Sequence, residues 1–433
     1  MEARRQVAPR YLVCNIVDEI TSSRRLRPPS MTASALAARP EIAAARFSAP
    51  VQRTRIDAVD VARGLIMIVM ALDHTRDYFG IAANPTDLTT ASAGLFMTRW
   101  ITHICAPVFF LLTGTGAYLA RRRRTTGELS RFLLTRGLWL IALEAVVMRC
   151  LAYQFNVDFR VTFLIVLWAL AWAMIALSLL VRFPTIVATT VGTVMIAGHN
   201  LFDSVTWTNP LWTLLHGRTL LVNTPEHVVF VVYPLIPWIG VTAVGYGLGQ
   251  IYDWDAERRR AFLLRLGLGL TAGFVALRAV NLYGDPSRWS VQATPLFTVL
   301  SFLNTSKYPP SLLFLLMTLG PAMLLLRAVD RGTPRLLEPA LVIGKVPLFY
   351  YALHFALIHL LAVVVCFLAY GSAHWMFESP NMDNYPFTAP PGWGFSLLGV
   401  YLAWATVVLL MYPLSRWYAA LKRRRSDWWL SYL

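Results

Sequence analysis

The chain is poor in cysteine, poor in acidic residues and poor in charge altogether. Its 433 residues include four cysteines, Cys14, Cys105, Cys150 and Cys366. None forms a CxxC pair and the last three fall inside apolar runs, which argues against a disulfide framework or a thiolate zinc site and leaves buried thiols. Asp and Glu number 23 against 39 Lys and Arg, for a formal net charge of +16. In a soluble protein such an excess suggests nucleic acid, but no DNA- or RNA-binding motif is visible. Most of the basic residues instead sit in short loops between apolar runs, the pattern of membrane topology. Only 14% of residues are charged while 57% are hydrophobic, outside the range of soluble globular domains. No short-period repeat or coiled-coil heptad is evident. Residues 1–55 lack the charged, apolar, small order of a signal peptide. They read as a basic, disordered cytoplasmic tail, with Met31 as an alternative start.

What is present is a series of apolar runs of membrane-spanning length. Ten segments qualify, near 58–80, 97–120, 132–153, 161–181, 184–202, 228–250, 261–283, 309–327, 345–370 and 393–415. Arg121–Arg124 with Arg131, Arg182, Arg258–Arg260, Arg327 with Arg331 and Arg335, and Lys422–Arg425 all fall on one side of such a bundle. The opposite loops, 203–227 and 371–392, are nearly free of Lys and Arg. The expected fold class is therefore all-α, a polytopic transmembrane helical bundle of about ten spans with both termini cytoplasmic. One domain at 56–420 is expected, followed by a basic cytoplasmic C-terminal tail at 421–433.

The first span organises the rest. Asp60, Arg63, Met67, Met70, His74 and Asp77 recur at three or four residues and share a helical face. Arg63 and His74 are eleven residues apart, about 16 Å of helical rise. Ionisable groups inside a span are costly and by default mark a functional site, although Asp60 and Arg63, or Asp73 to Asp77, would also serve as anchors at the two interfaces. Arg99 and His103 lie one turn apart in the outer half of the second span, which Pro107 is expected to kink. Arg278 and Lys307 flank the seventh and eighth spans, and Tyr351, His354 and His359 lie in the ninth.

These residue types suit acid–base or nucleophilic chemistry. His74 has Asp73 beside it and Asp77 one turn away, an arrangement that orients an imidazole as proton acceptor. Arg99, Arg278 and Lys307 suit an anionic group or a developing oxyanion, though Arg99 and Arg278 are also placed to snorkel. A metal site is disfavoured: His354 and His359 point about 140° apart on a helix. His199, followed by Asn200, reads as a helix-end residue. A proton-coupled transporter fits intramembrane Arg, His and Asp, but no matching pair of broken helices is present.

At this point several segments resemble a known family. Val59-Asp60-Val-Ala-Arg63-Gly64 and Asp73-His74 resemble the opening span of membrane-bound acyltransferases. Leu72-Asp-His-Thr-Arg-Asp77, Arg99-Trp-Ile-Thr-His103-Ile-Cys-Ala-Pro107, Tyr233-Pro-Leu-Ile-Pro-Trp238, Tyr283-Gly-Asp-Pro286, Lys307-Tyr-Pro-Pro-Ser311 and Gly344-Lys-Val-Pro-Leu-Phe-Tyr-Tyr351 look like the bacterial family related to the catalytic domain of heparan-α-glucosaminide N-acetyltransferase. The resemblance runs over residues 53–420. It implies an integral-membrane O- or N-acetyltransferase of a bacterial inner membrane that moves an acetyl group from cytosolic acetyl-CoA to an amine or hydroxyl of a saccharide on the far side. The lysosomal relative has asparagine about where His74 lies and its catalytic histidine in the loop after the first span. Here the loop Gly80–Thr98 has no histidine, so either His74 or His103 takes that role.

The expected catalytic residues are thus His74, Asp77 and His103. Donor and acceptor contacts are expected from Arg63, Asp73, Arg76, Arg99, Arg278, Lys307, Tyr351 and His354. No metal is expected. Acyl-CoA, a small-molecule acceptor and membrane lipid are the partners, nucleic acid is not, and a homodimer stays open. The alternative is a small-molecule or glycan transporter, and beyond it a non-catalytic scaffold.

Overall fold

The computed structural model describes residues 56–430 apart from 82, 206, 208, 381–386, 426, 428 and 429. The N-terminal tail expected at 1–55 lies outside the described residues. Helix α1 (Asp57–Phe79) carries the organising motif, and its wholly apolar middle is buried on nearly every side. Helix α2 (Ala93–Thr102) starts on Ser92, whose hydroxyl accepts from Leu95 N, and gives way at His103–Ile104 to α3 (Cys105–Ala120). The break falls four residues before Pro107, whose ring lacks the N–H that His103 O would receive and clashes with that carbonyl. Helix α4 (Thr126–Ala142) begins with a Thr125/Glu128 capping box and runs into a π-helical stretch at Leu143–Tyr153.

Strand β1 (Val161–Leu164), α5 (Val166–Leu180), α6 (Thr185–Gly198) with its 3₁₀ turn His199–Phe202, and α7 (Pro210–Leu215) follow. Strands β2 (Leu220–Asn223) and β3 (Val228–Val231) complete a small sheet of order β1-β3-β2, with β1 parallel and β2 antiparallel to β3. Then come α8 (Leu235–Leu248), α9 (Ala256–Val280), α10 (Pro295–Leu303), α11 (Leu312–Val329), α12 (Glu338–Gly344), α13 (Pro347–Tyr370) and α14 (Leu397–Arg424). The segments expected as spans at 161–181 and 228–250 therefore start as strands. Val-Thr-Phe-Leu and Val-Val-Phe-Val are β-branched and aromatic, and short apolar runs do not distinguish strand from helix by periodicity. The helix α14 extends to Arg424, so the start of the expected C-terminal tail is helical.

The architecture is an α-helical, multi-pass membrane bundle. Among the described residues, six stretches are long and apolar enough to cross a membrane: Ala93–Arg123, Thr185–Phe202, Ala256–Val280, Leu312–Val329, Pro347–Tyr370 and Leu397–Arg424. Helix α1 has the length but carries Asp and Arg at both ends, and α5 and α8 are shorter.

Two close approaches fix the surroundings of α1. A Cβ added to Gly64 would stand 1.8 Å from Ala340 O, and one added to Gly344 would stand 1.8 Å from Asp60 O. Only glycine permits α1 and α12 to meet backbone to backbone there. The contact lets Arg63 NH1 donate to Gly344 O at 3.2 Å while pairing with Asp60 at 2.7 Å. Ion pairs gather the basic loops at this same end. Arg122 meets Asp253 at 2.6 Å, Arg259 meets Asp330 at 2.9 Å, and Lys345 lies 3.9 Å from Asp57.

Candidate active site

At the other end of α1, Asp73 is the hub of a charged cluster. Its carboxylate accepts from Arg99 NH1 through both oxygens, at 2.6 and 2.5 Å, and from Thr102 Oγ1 at 2.9 Å. Arg76 NH1 pairs with it at 2.6 Å, and Lys307 Nζ stands 3.9 Å away. Arg76 also reaches Asp77 at 2.7 Å. Two carboxylates thus face three cations, all largely buried, which leaves the cluster with an excess of positive charge. Charges so far from bulk water are retained only when paired, so the surplus suits an anionic or strongly polar guest.

The cluster walls a chamber made of two cavities at the end of α1 away from the basic loops. One, of about 560 Å³, is lined by Arg76, Arg99, His103, Asn304, Lys307 and Tyr308 among others. The second, of about 290 Å³, is lined by Asp73, His74, Asp77, Tyr233, Tyr351 and strand residues Phe163 and Phe230. Arg76, Asp77, Arg99, Arg218, Lys307 and Tyr308 line both. A third cavity, of about 310 Å³, opens toward the basic loops and is mostly apolar, with Arg63 and Arg136 as its cations. Val166 and Tyr351 line the third cavity and the second alike. The two therefore adjoin in mid-bundle across the residues they share, one of them a tyrosine whose hydroxyl lies 2.7 Å from that of Tyr153.

His74 stands beside that junction. Its Nδ1 lies 3.9 Å from Asp77 Oδ2, and its ring packs on Phe355 at 4.0 Å between centroids. His354 lies behind it, ring centroids 5.4 Å apart, fully buried with Nδ1 against Tyr350 O at 3.0 Å. His103 lines the larger cavity, edge-on to Phe314, with a buried Nδ1 that has no hydrogen-bond partner among the described residues. His359, by contrast, is clamped between Ala152 O at 3.0 Å and Met376 O at 2.7 Å.

Of the residues singled out in the sequence, His74, Asp77, His103, Asp73, Arg76, Arg99, Lys307 and Tyr351 converge on the chamber. Arg63 lies at the far end in the third cavity, and His354 touches His74 without lining any of the three cavities. Arg278 is elsewhere. Its guanidinium donates to the carbonyls of Ser287, Ser301, Phe302 and Asn304 and is 1% exposed. Four carbonyl partners take four of its five N–H groups, so it braces the segment that ends in Lys307. Asp285 completes the brace by accepting from Ser306 N at 2.8 Å and Ser311 Oγ at 2.6 Å. Burial pushes the Asp285 carboxyl above its usual range, against the pull of those hydrogen bonds.

Arg218 and Tyr153 were not singled out from the sequence, and Tyr233 and Tyr308 figured there only within family-like segments. Arg218 lines both cavities of the chamber and stacks over Tyr308 at 4.9 Å. The signal was available, since Arg218 is the one basic residue of the loop 203–227.

A family model described as heparan-alpha-glucosaminide N-acetyltransferase, catalytic, matches residues 55–276, just over half of the chain. The chain belongs to this family. The match takes in α1 to most of α9, hence Arg63, Asp73, His74, Arg76, Asp77, Arg99 and His103. It is narrower than the resemblance read over 53–420, and Arg278, Lys307, Tyr351 and His354 lie beyond it. Membership supports an acetyltransferase-type activity for the chain. No curated protein matches the chain.

Proposed function

We propose that the protein spans a bacterial inner membrane about ten times, with both termini cytoplasmic, and transfers acetyl from cytosolic acetyl-CoA to a saccharide amine or hydroxyl on the far side. The observation that supports this most is that the two cavities, one at each end of the bundle, share Tyr351 and Val166 in their lining, so that movement of Tyr351 would join them. Arg63 and Arg136, at the basic end, suit the phosphates of the donor. The apolar lining between them and Tyr351 suits an uncharged thioester arm. Arg76, Arg99, Lys307 and Arg218 present donors to the acceptor in the outer chamber.

The step is an acyl transfer. The acceptor nitrogen or oxygen attacks the thioester carbonyl, the C–S bond breaks, and CoA leaves as a thiolate. The proton lost by the acceptor passes through His74 to that thiolate. Among the histidines that line the chamber, His74 stands nearer the crossing point, and Asp77 is placed to hold its imidazole. His103, on the acceptor side, fixes the incoming group.

Acetyl-CoA-dependent acetylation in vesicles tests the assignment. His74→Gln is expected to lose about 100-fold or more in kcat, the usual contribution of a positioned acid–base group, while His103→Gln raises KM for the acceptor. Full activity in His74→Gln removes it from the mechanism. Ping-pong kinetics would place a transient acetyl group on the enzyme.

A further inference from the structure

We propose that His199, Asp203 and His216 form a binding site for one divalent transition-metal ion of the zinc type, away from the acetyl-transfer chamber. His199 opens the turn that follows α6, Asp203 ends it, and His216 caps α7. The chain folds back so that His199 Nδ1 and His216 Nε2 stand 3.3 Å apart. His216 Nε2 lies 3.6 Å from Asp203 Oδ1 and 3.0 Å from the His199 carbonyl oxygen. Two ligands held about 2.0–2.1 Å from a tetrahedral zinc are about 3.3–3.4 Å apart, so the two nitrogens already have the spacing of one coordination edge. The three ligand atoms all lie within 4.8 Å of one another. At tetrahedral angles the widest pair closes with a shift of at most about 1.4 Å. Asp203, 20% exposed on a turn, has the freedom to make it.

The surroundings already orient the three groups. Asn200 Nδ2 donates to Asp203 Oδ2 at 2.8 Å, which turns the other carboxylate oxygen to His216. Trp212 stacks on the His216 ring at 5.1 Å and 18° and fixes its plane. Outer partners of this sort set ligand direction in metal sites. Two imidazoles and one carboxylate suit zinc over magnesium or calcium, which prefer all-oxygen sets. A fourth position is available to water or to the His199 carbonyl.

The site would act at a distance on the chamber. Asn200 Oδ1 accepts from Leu312 N at 2.8 Å, at the start of α11. Directly before it runs the segment that presents Lys307 and Tyr308. A metal that rigidifies the turn at 199–203 thereby positions Lys307 without touching substrate.

Hydrogen bonding alone, from His216 Nε2 to the His199 carbonyl, also accounts for the 3.0 Å contact, and direct metal counting separates the two. Full-length protein without a polyhistidine tag is stripped with chelator, dialysed and titrated with Zn²⁺ or Co²⁺ in detergent. One ion per chain is expected, with the visible absorption of tetrahedral Co²⁺ and a raised unfolding midpoint. His216→Gln and Asp203→Asn should abolish stoichiometric binding, while His374→Gln, at an exposed histidine, retains it. A wild-type chain that binds no stoichiometric ion overturns the proposal, whatever the variants do. So does full binding in both His216→Gln and Asp203→Asn.

Discussion

Replacing Asp73 with asparagine changes one oxygen to an amide and leaves the shape alone, yet it should be among the most damaging single substitutions in the chain. Asp73 Oδ1 accepts from Arg99 and Thr102 and pairs in charge with Arg76, and Oδ2 accepts from Arg99 with Lys307 nearby. In the asparagine one of these positions becomes an NH₂ that points donors at donors. Three buried cations then face Asp77 alone. Removing one partner of a buried ion pair costs about 3–5 kcal/mol, because the other charge is left without compensation. At the usual slope for a chain larger than two hundred residues this lowers the unfolding midpoint by roughly 5–10 °C. The assay is thermal unfolding of detergent-purified protein, followed by loss of the monodisperse elution peak. The Arg99 guanidinium hydrogen-bonds only to Asp73 among the described residues, so Arg99→Gln offers a clean second arm. The double variant Asp73→Asn/Arg99→Gln should be more stable than Asp73→Asn alone, since it removes a stranded charge. An unchanged midpoint in Asp73→Asn, or a double variant worse than the single, would refute the role of Asp73 as the neutralising hub.

Gly64→Ala would place a methyl 1.8 Å from Ala340 O and force α1 and α12 apart. A midpoint loss equivalent to about 1–3 kcal/mol or more is expected, whereas Gly273→Ala, which meets nothing within 4 Å, is neutral or slightly stabilising. A second expectation concerns acid. Burial raises the Asp158 carboxyl, but hydrogen bonds from Arg160 N, Ser379 Oγ and Arg149 outweigh it and hold the group below its usual range. The stability it supplies is present above the ordinary carboxylate pKa of about 3.9 and lost as pH falls through the depressed folded value. The acid limb of the midpoint-versus-pH curve should therefore flatten in Asp158→Asn; an identical limb would contradict it.

The helical plan was legible because apolar runs and basic loops are long-range, redundant signals. The ten segments marked in the sequence all contain helices, and loops rich in arginine share an end through Arg122–Asp253 and Arg259–Asp330. The strands at 161–164 and 228–231 were not legible, because Val-Val-Phe-Val at the head of an apolar run reads equally as helix. Helical spacing placed His74, Asp73 and Asp77 on α1, but it gave no sign of what surrounds Arg278. Only the packing of α9 against residues 285–304 shows four carbonyls around that guanidinium. The approach of His199 to His216 is likewise invisible in the sequence, where seventeen positions separate them.

Passage of an acyl group through the bundle is best tested by sidedness. Labelled acetyl-CoA is added only to the face of sealed vesicles that carries Arg121–Arg124, and an amino sugar only to the face that carries Lys307. Labelled, acetylated sugar should accumulate with donor and acceptor so separated. Product that forms only when both are supplied on the same face would contradict a route past Tyr351.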